Sequence, residues 1–345
     1  MKSAALRFHL STWMALCCLL AMGLSASTKV LESNPSQRTK QLADYPNQLV
    51  RDGDLIILPD HGTVYIAADF HAHWRDFNQW LDRTDLISRI ESGADVYGLI
   101  IGDVVDHKPG DPVFEPHGDT KIVDKLMQLK KQLGALGERL ICLKGNHEFE
   151  AANTYALLKK HGLTAANREQ LIDALYRSPQ GAYFRQFNFI ERMTDEHYEF
   201  LFNLPTAVVG KNGVVGVHAG VSRAVKNLSS LVQPSSKVLE ELLWGRSIVV
   251  QAGGHTPTET DTFLKHIGGG VLIVGHTPLR NFPKEFVQDG VAKLGGRQLI
   301  FTTGYGASPG VPTYLVIDLS KRYRSVSELQ FGTEIQPLYP EMRKR

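Results

Sequence analysis

The chain has 345 residues, 43% of them hydrophobic and 21% charged, an ordinary globular composition with ample material for a large core. Its 38 basic and 36 acidic residues leave a formal charge of +2, with no polybasic footprint for nucleic acid or an anionic membrane. At the start, Lys2, Arg7 and His9 precede an apolar run from Leu10 to Leu24, then Ser25, Ala26 and Ser27. That order describes a secretory signal peptide over 1–27, and the run is short for a bilayer span. A retained N-terminal anchor is the alternative. Cys17 and Cys18 lack the small residues that a lipoprotein cleavage site wants before its cysteine. Without 1–27 the 38 basic residues fall to 36, equal to the acidic ones, and Cys142 is the one cysteine left. No intramolecular disulfide is then available, which suits a secreted or periplasmic protein that does without thiols.

Residues 28–50 read as a polar, exposed lead-in, and 51–345 as one domain. Short strands are predicted at 63–68, 96–101 and 139–143. A hairpin at 206–217 turns on Asn212-Gly213. Further strands fit 271–274, 298–302 and 313–317. Helical periodicity marks 75–91 and 120–136, a largely helical stretch over 150–203, and helices near 235–243 and 258–266. The order β-α-β-α-β, then helices, then a β-rich half, predicts an α/β core with more than one sheet. The stretch 150–203 is expected as a helical insertion capping that core.

Polar residues gather where the strands end. Asp69 and His71 follow "VYIAA", Asp103 and Asp106 follow "GLII", and Asn146, His147 and Glu148 follow "LICL". His218 ends "VVGVH" and His276 follows "VLIVG". Loops converge at the carboxyl ends of strands in α/β sheets, so these side chains are expected to share one site. Asp, His and Asn suit Mn, Fe or Zn, and a carboxylate bridging two cations supports attack by water on a phosphoester.

The blocks "DFHAH", "GDVVDHK", "GNHE", "VHAGV" and "GHTP", in that order over 69–278, resemble those of calcineurin-like metallophosphoesterases, most closely bacterial members of the phosphoprotein phosphatase family. The resemblance implies a metallophosphatase-like β-sandwich of two mixed sheets flanked by helices, with two divalent cations as cofactors. It implies that Asp69 and His71 ligate one metal, that Asp103 bridges, and that Asn146, His218 and His276 ligate the second. His147 is then the general acid, oriented by Asp106.

Five features depart from or extend that pattern. The family's first block usually reads Gly-Asp and His-Gly, where this chain has Ala68 before Asp69 and Ala72 after His71. The second block usually continues Arg-Gly after the second Asp, and here His107-Lys108 stand there. An imidazole and an ammonium cannot reproduce a bidentate guanidinium, which leaves Lys108 as a point charge and His107 as a single donor to substrate. "LLWGRS" resembles a segment of bacterial relatives that carries a phosphate-binding Arg, making Arg246 a substrate-binding candidate; a surface Arg after a core Trp is the alternative. "GHTP" occurs at both 254–257 and 275–278; His276, after the cleaner strand, is preferred to His255. Tyr305, in "FTTGYGASPG", is expected either to line the cleft or to sit exposed in a Gly-rich turn.

The resemblance therefore implies an enzyme hydrolysing phosphomonoesters, with phosphoprotein side chains (Ser/Thr or Tyr) as one candidate substrate class, and the N-terminal pattern predicts that it is secreted or periplasmic. The competing readings are a nucleotide or dinucleoside polyphosphate hydrolase on the same core, and a weakly active binding protein that keeps the fold.

Overall fold

The computed structural model describes residues 40–307 and 311–341, so the expected signal peptide and most of the lead-in lie outside the described residues. In chain order the elements are β1 (Val50–Asp52), β2 (Leu55–Leu58), β3 (Thr63–Ala67), α1 (Trp74–Thr84), α2 (Leu86–Glu91) and β4 (Val96–Ile100). Then come α3 (Gly118–Leu133), β5 (Leu140–Cys142), α4 (Asn146–Lys160), α5 (Arg168–Tyr176), α6 (Gly181–Phe184) and α7 (Asp195–Phe202). The hairpin β6 (Ala207–Gly210) and β7 (Val214–Val217) leads to α8 (Ser229–Val232), α9 (Ser236–Trp244), α10 (Pro257–Ile267) and β8 (Val271–Val274). The last strands are β9 (Val287–Gln288), β10 (Val291–Leu294), β11 (Gln298–Phe301), β12 (Thr313–Asp318) and β13 (Ile335–Pro337).

These strands form two mixed sheets, an eight-stranded one in the order β1-β2-β6-β7-β8-β11-β10-β9 and a five-stranded one in the order β13-β12-β3-β4-β5. Alternation along each strand builds the layers. Val64 and Ile66 of β3 join Val271 and Ile273 of β8 in the core between the sheets. Tyr65 and Ala67 face the other way, onto Phe77, Trp80, Ile122 and Tyr155 of the helices over the small sheet. Leu272 and Val274 pack on Val238, Phe263 and Leu264 over the large one. Both faces of the central strands are thus dry, which is why their sequences are continuous apolar runs rather than alternating ones. The fold is the sandwich of two mixed sheets flanked by helices expected above.

Several elements differ from the sequence reading. The periodicity over 75–91 is two helices, broken at Asp85, whose φ of 46° ends the first. The hairpins β1–β2 and β9–β10, unread in the sequence, turn at Gly53 and at Asp289-Gly290, where φ is positive. Their strands are short, two to four residues, and too brief to show a period. The lead-in is not uniformly exposed: Tyr45 is buried against the large sheet's outer core and its hydroxyl donates to Asp52 at 2.8 Å. The stretch 150–203 is helical but irregular, and its first helix begins at Asn146. No helix among the described residues is long and apolar enough to cross a membrane.

Candidate active site

Strands β3, β4 and β5 run parallel in the small sheet, and β7 and β8 run parallel in the large one. Their carboxyl ends meet at one edge of the sandwich. His218, at the end of β7, crosses to the other sheet, with Nδ1 2.8 Å from the Ile101 carbonyl. From the loop after β8, the His276 amide donates to both carboxylate oxygens of Asp69 at 2.9 Å. Within the small sheet, the His71 amide donates to the Asp103 carbonyl at 2.8 Å and the Ala72 amide to that of Val104 at 3.1 Å.

The glycine ahead of a site residue allows this convergence. A Cβ on Gly275 would lie 2.0 Å from Asp69 Oδ2, and one on Gly145 would lie 2.3 Å from Asp103 Oδ1. The side chains that follow are held in left-handed backbone: φ is 53° at Asp69, 43° at His71, 54° at Asp103, 65° at Asp106 and 63° at His276. L-residues avoid this region, and its concentration here places backbone strain at the site.

Asp103 is central. Its Oδ2 lies 3.2 Å from His71 Nε2 and 3.4 Å from His218 Nε2. Asn146 Oδ1 is 3.0 Å from both His218 Nε2 and His276 Nδ1. Ligand atoms of His71, Asp103 and His147 lie within 4.8 Å of one another, as do those of Asp103, His218 and His276. All but the partly exposed His276 are buried, and the electrostatics are tense. Burial, seconded by the Asp103 carboxylate, pushes Asp69 up to about 8 against the pull of His218. His218 is raised to about 9 because Asp103 and Asp69 outweigh its own desolvation. Burial and the Lys108 ammonium bring His71 down to about 4. The buried Nε2 of His276 has no hydrogen-bond partner. Two desolvated carboxylates, an amide oxygen and imidazole nitrogens aimed at one another fit divalent cations, which replace the protons that the cluster otherwise needs.

Beside the cluster, His147 Nδ1 is 2.6 Å from Asp106 Oδ2, while Asp106 Oδ1 accepts the Phe189 amide at 2.6 Å. Burial lowers His147 well below the usual imidazole value and raises Asp106 well above the usual carboxylate one. The other ring nitrogen, Nε2, is in contact with Lys108 Nζ. A cavity of about 540 Å³ opens over these groups. Asp69, His71, Asp103, Asn146, His147 and His276 line its floor, and Lys108, Arg246 and Tyr305 its walls. Asp106 and His218 stand behind that floor. Arg246 Nη1 donates to Thr277 Oγ1 at 3.1 Å and sits in the field of Asp69 and Asp103. The Tyr305 ring stands edge-on to His71, centroids 5.3 Å apart, and its hydroxyl accepts from Arg280 at 2.6 Å. His107 is placed elsewhere: its Nε2 lies 2.8 Å from the Val113 carbonyl and its ring meets Phe114, outside the cavity. The backbone turns at Asp106, sending the two adjacent side chains to opposite sides of the loop. His255 is also apart, with Nε2 3.0 Å from Gln298 Oε1.

Other contributors carried weaker signals. Glu148, in the "GNHE" block, is fully buried and accepts the amides of Asp103 and Gly145 on Oε2 and those of Val104 and Val105 on Oε1, at 2.8–3.2 Å. It ties the loop after β4 to the loop after β5. Tyr183, Gln186 and Phe187 of the helical stretch form a cavity wall, Phe187 with its ring 4.9 Å from that of His147. No local pattern marks them, since only the packing of that stretch brings them here. His73 lies between two carboxylates, 3.0 Å from Asp76 and 2.6 Å from Asp111. Burial opposes its charge, but the two carboxylates prevail and raise its pKa. This pairing anchors the loop that carries Lys108.

The family model for calcineurin-like phosphoesterases matches residues 62–280. A protein serine/threonine phosphatase from Saccharomyces cerevisiae is similar in structure, with 15% identity, 77% of each chain covered and a TM-score of 0.47. The cold-active protein-tyrosine phosphatase of a psychrophilic Shewanella is 18% identical, over 82% of this chain and 85% of that one, with a TM-score of 0.46. A metallophosphoesterase from Sphaerobacter thermophilus is 15% identical, over 75% and 84%, with a TM-score of 0.40. No curated protein matches this chain. The family match spans more than half of the sequence and encloses every strand-end block from Asp69 to His276, so the chain belongs to the calcineurin-like phosphoesterases and is a metal-dependent phosphoric ester hydrolase.

Proposed function

We propose that the protein is a phosphomonoesterase acting on phosphoprotein side chains, with two cations held by Asp69, His71, Asp103, Asn146, His218 and His276. The donor set of oxygens and imidazoles suits Mn, Fe or Zn. Such cations make water nucleophilic near neutral pH and offset phosphoryl charge. The observation that carries the reading is the composition of one cavity. A histidine braced by a carboxylate, His147 on Asp106, shares it with two cationic side chains, Lys108 and Arg246. Arg246 offers a guanidinium to phosphoryl oxygens, and Lys108 adds a second positive charge. His147 gives a proton to the leaving oxygen, and Asp106 holds its ring in register. Tyr183, Phe187, Trp244 and Tyr305 on the walls favour an aryl leaving group such as a phosphotyrosine ring. A secreted or periplasmic location remains our reading of residues 1–27.

A panel of phosphotyrosine peptide, phosphoserine peptide, nucleotides and bis-phosphodiesters, assayed with protein of measured metal content, tests this. The phosphotyrosine peptide is expected to give the highest kcat/KM. Preference for nucleotides or diesters would replace the substrate assignment, and an inert metal-loaded protein would favour the binding-protein reading. Arg246→Ala is expected to raise KM or to lower kcat by about 10²-fold; unchanged kinetics would remove Arg246 from the site.

A further inference from the structure

We propose that Lys108 serves the leaving-group oxygen, donating to it from the side of His147, rather than gripping the phosphate as the Arg usual in this block does. The inference rests on the phosphatase reading above. Lys108 Nζ is in contact with His147 Nε2, the ring nitrogen that faces the cavity, because Nδ1 is committed to Asp106. Among the described residues its ammonium makes no other side-chain hydrogen bond. Once His147 carries a proton on Nε2, two donors face each other, and neither can satisfy the other. An acceptor oxygen lodged between them satisfies both. The oxygen that must receive a proton from His147 is the leaving oxygen, so the same atom is within reach of Lys108.

Arg246 occupies a different wall. It donates to Thr277, next to His276 in the chain, and shares the field of Asp69 and Asp103 with Lys108, but of the two only Lys108 contacts His147. The two cations thus divide the substrate between them. The loop bearing Lys108 is fixed at both ends of its turn, by Asn188 Nδ2 on the His107 carbonyl at 3.0 Å and by His73 on Asp111 at 2.6 Å. The ammonium is therefore delivered to His147 by a braced loop. In the reaction, the oxygen of water bonds to phosphorus as the bond from phosphorus to the leaving oxygen breaks. That bond's electron pair passes to the leaving oxygen, which takes the proton from His147 Nε2, and the proton shed by water goes to solvent. Lys108 keeps its protons and stabilises the negative charge that grows on the oxygen before it is neutralised.

Leaving oxygens of different basicity on one aromatic ring separate this role from phosphate gripping, using 4-nitrophenyl, phenyl and 4-methoxyphenyl phosphate. In metal-loaded Lys108→Met, kcat is expected to fall about 100-fold for the phenyl and 4-methoxyphenyl esters and less than about 5-fold for the 4-nitrophenyl ester, whose leaving group needs little help. Lys108→Gln, which keeps a neutral donor, should fall between the Met variant and the wild type, and Lys108→Arg should recover part of the loss. Binding of inorganic phosphate, measured calorimetrically, should change less than about 3-fold in Lys108→Met but weaken more than about 10-fold in Arg246→Ala. A loss uniform across the three esters, or phosphate binding weakened as much as in the Arg246 variant, overturns the inference and returns Lys108 to the phosphate. A wild-type protein inert towards all three overturns the phosphatase reading, and this inference with it.

Discussion

Ala72 sits in the left-handed region at φ 66°, buried beside His71, in a backbone conformation that glycine adopts without strain. A side chain there costs about 1–2 kcal/mol, partly offset because alanine restricts the unfolded chain more than glycine does. Ala72→Gly is therefore expected to stabilise the fold by about 0.5–1 kcal/mol in urea unfolding. No gain would mean that the surrounding hydrogen bonds absorb the strain. The duplicated "GHTP" makes a second residue-level test. His276 lies in the cluster, with Nδ1 3.0 Å from Asn146 Oδ1, whereas His255 is turned towards Gln298. His276→Ala is expected to lose bound metal, measured by elemental analysis, and His255→Ala to retain it. Normal metal in the His276 variant would reverse that assignment.

Among the elements, the loops at the strand ends depend on one carboxylate. Glu148 receives four amides from two loops and belongs to the first turn of α4, where it caps the helix by accepting the Gly145 amide. Glu148→Gln presents a carboxamide NH2 where an acceptor is needed and leaves buried amides unpaired. The expected cost is about 2–4 kcal/mol, with weaker metal affinity because Asp103 and Asn146 are carried by those loops. A variant as stable as wild type would show that water or a flipped amide replaces the lost acceptor. The helical stretch after α4 is likewise more than a cover. It supplies the Phe189 amide to Asp106 and the Phe187 ring to His147, so it completes the pair proposed to protonate the leaving group.

For the whole molecule, the site is a seam: each sheet brings part of the donor set, and neither holds a complete one. Cations bridging that seam should stabilise the folded state by mass action, about 2.7 kcal/mol at a hundredfold excess over Kd. Chelation is expected to lower Tm by at least about 5 °C, reversibly on adding metal back. An unchanged Tm would mean that the seam holds without cations. Much of this was legible in the sequence. Apolar runs such as 96–101 and 271–274, ending at glycine and a polar residue, mark buried strands and their site-bearing ends, because burial and turn chemistry are local constraints. The turn at Asn212-Gly213 was legible for the same reason, while β9 and β10, reading VQ and VAKL, are short and interrupted by polar residues and carried too little pattern. Direction and distance, by contrast, follow from how the chain closes on itself. Lys108 enters the cavity while His107 leaves it, and Phe189 reaches Asp106 across 83 residues of chain. A side chain's identity is written locally, but the partner it meets is set by how two sheets and a helical stretch close on one another.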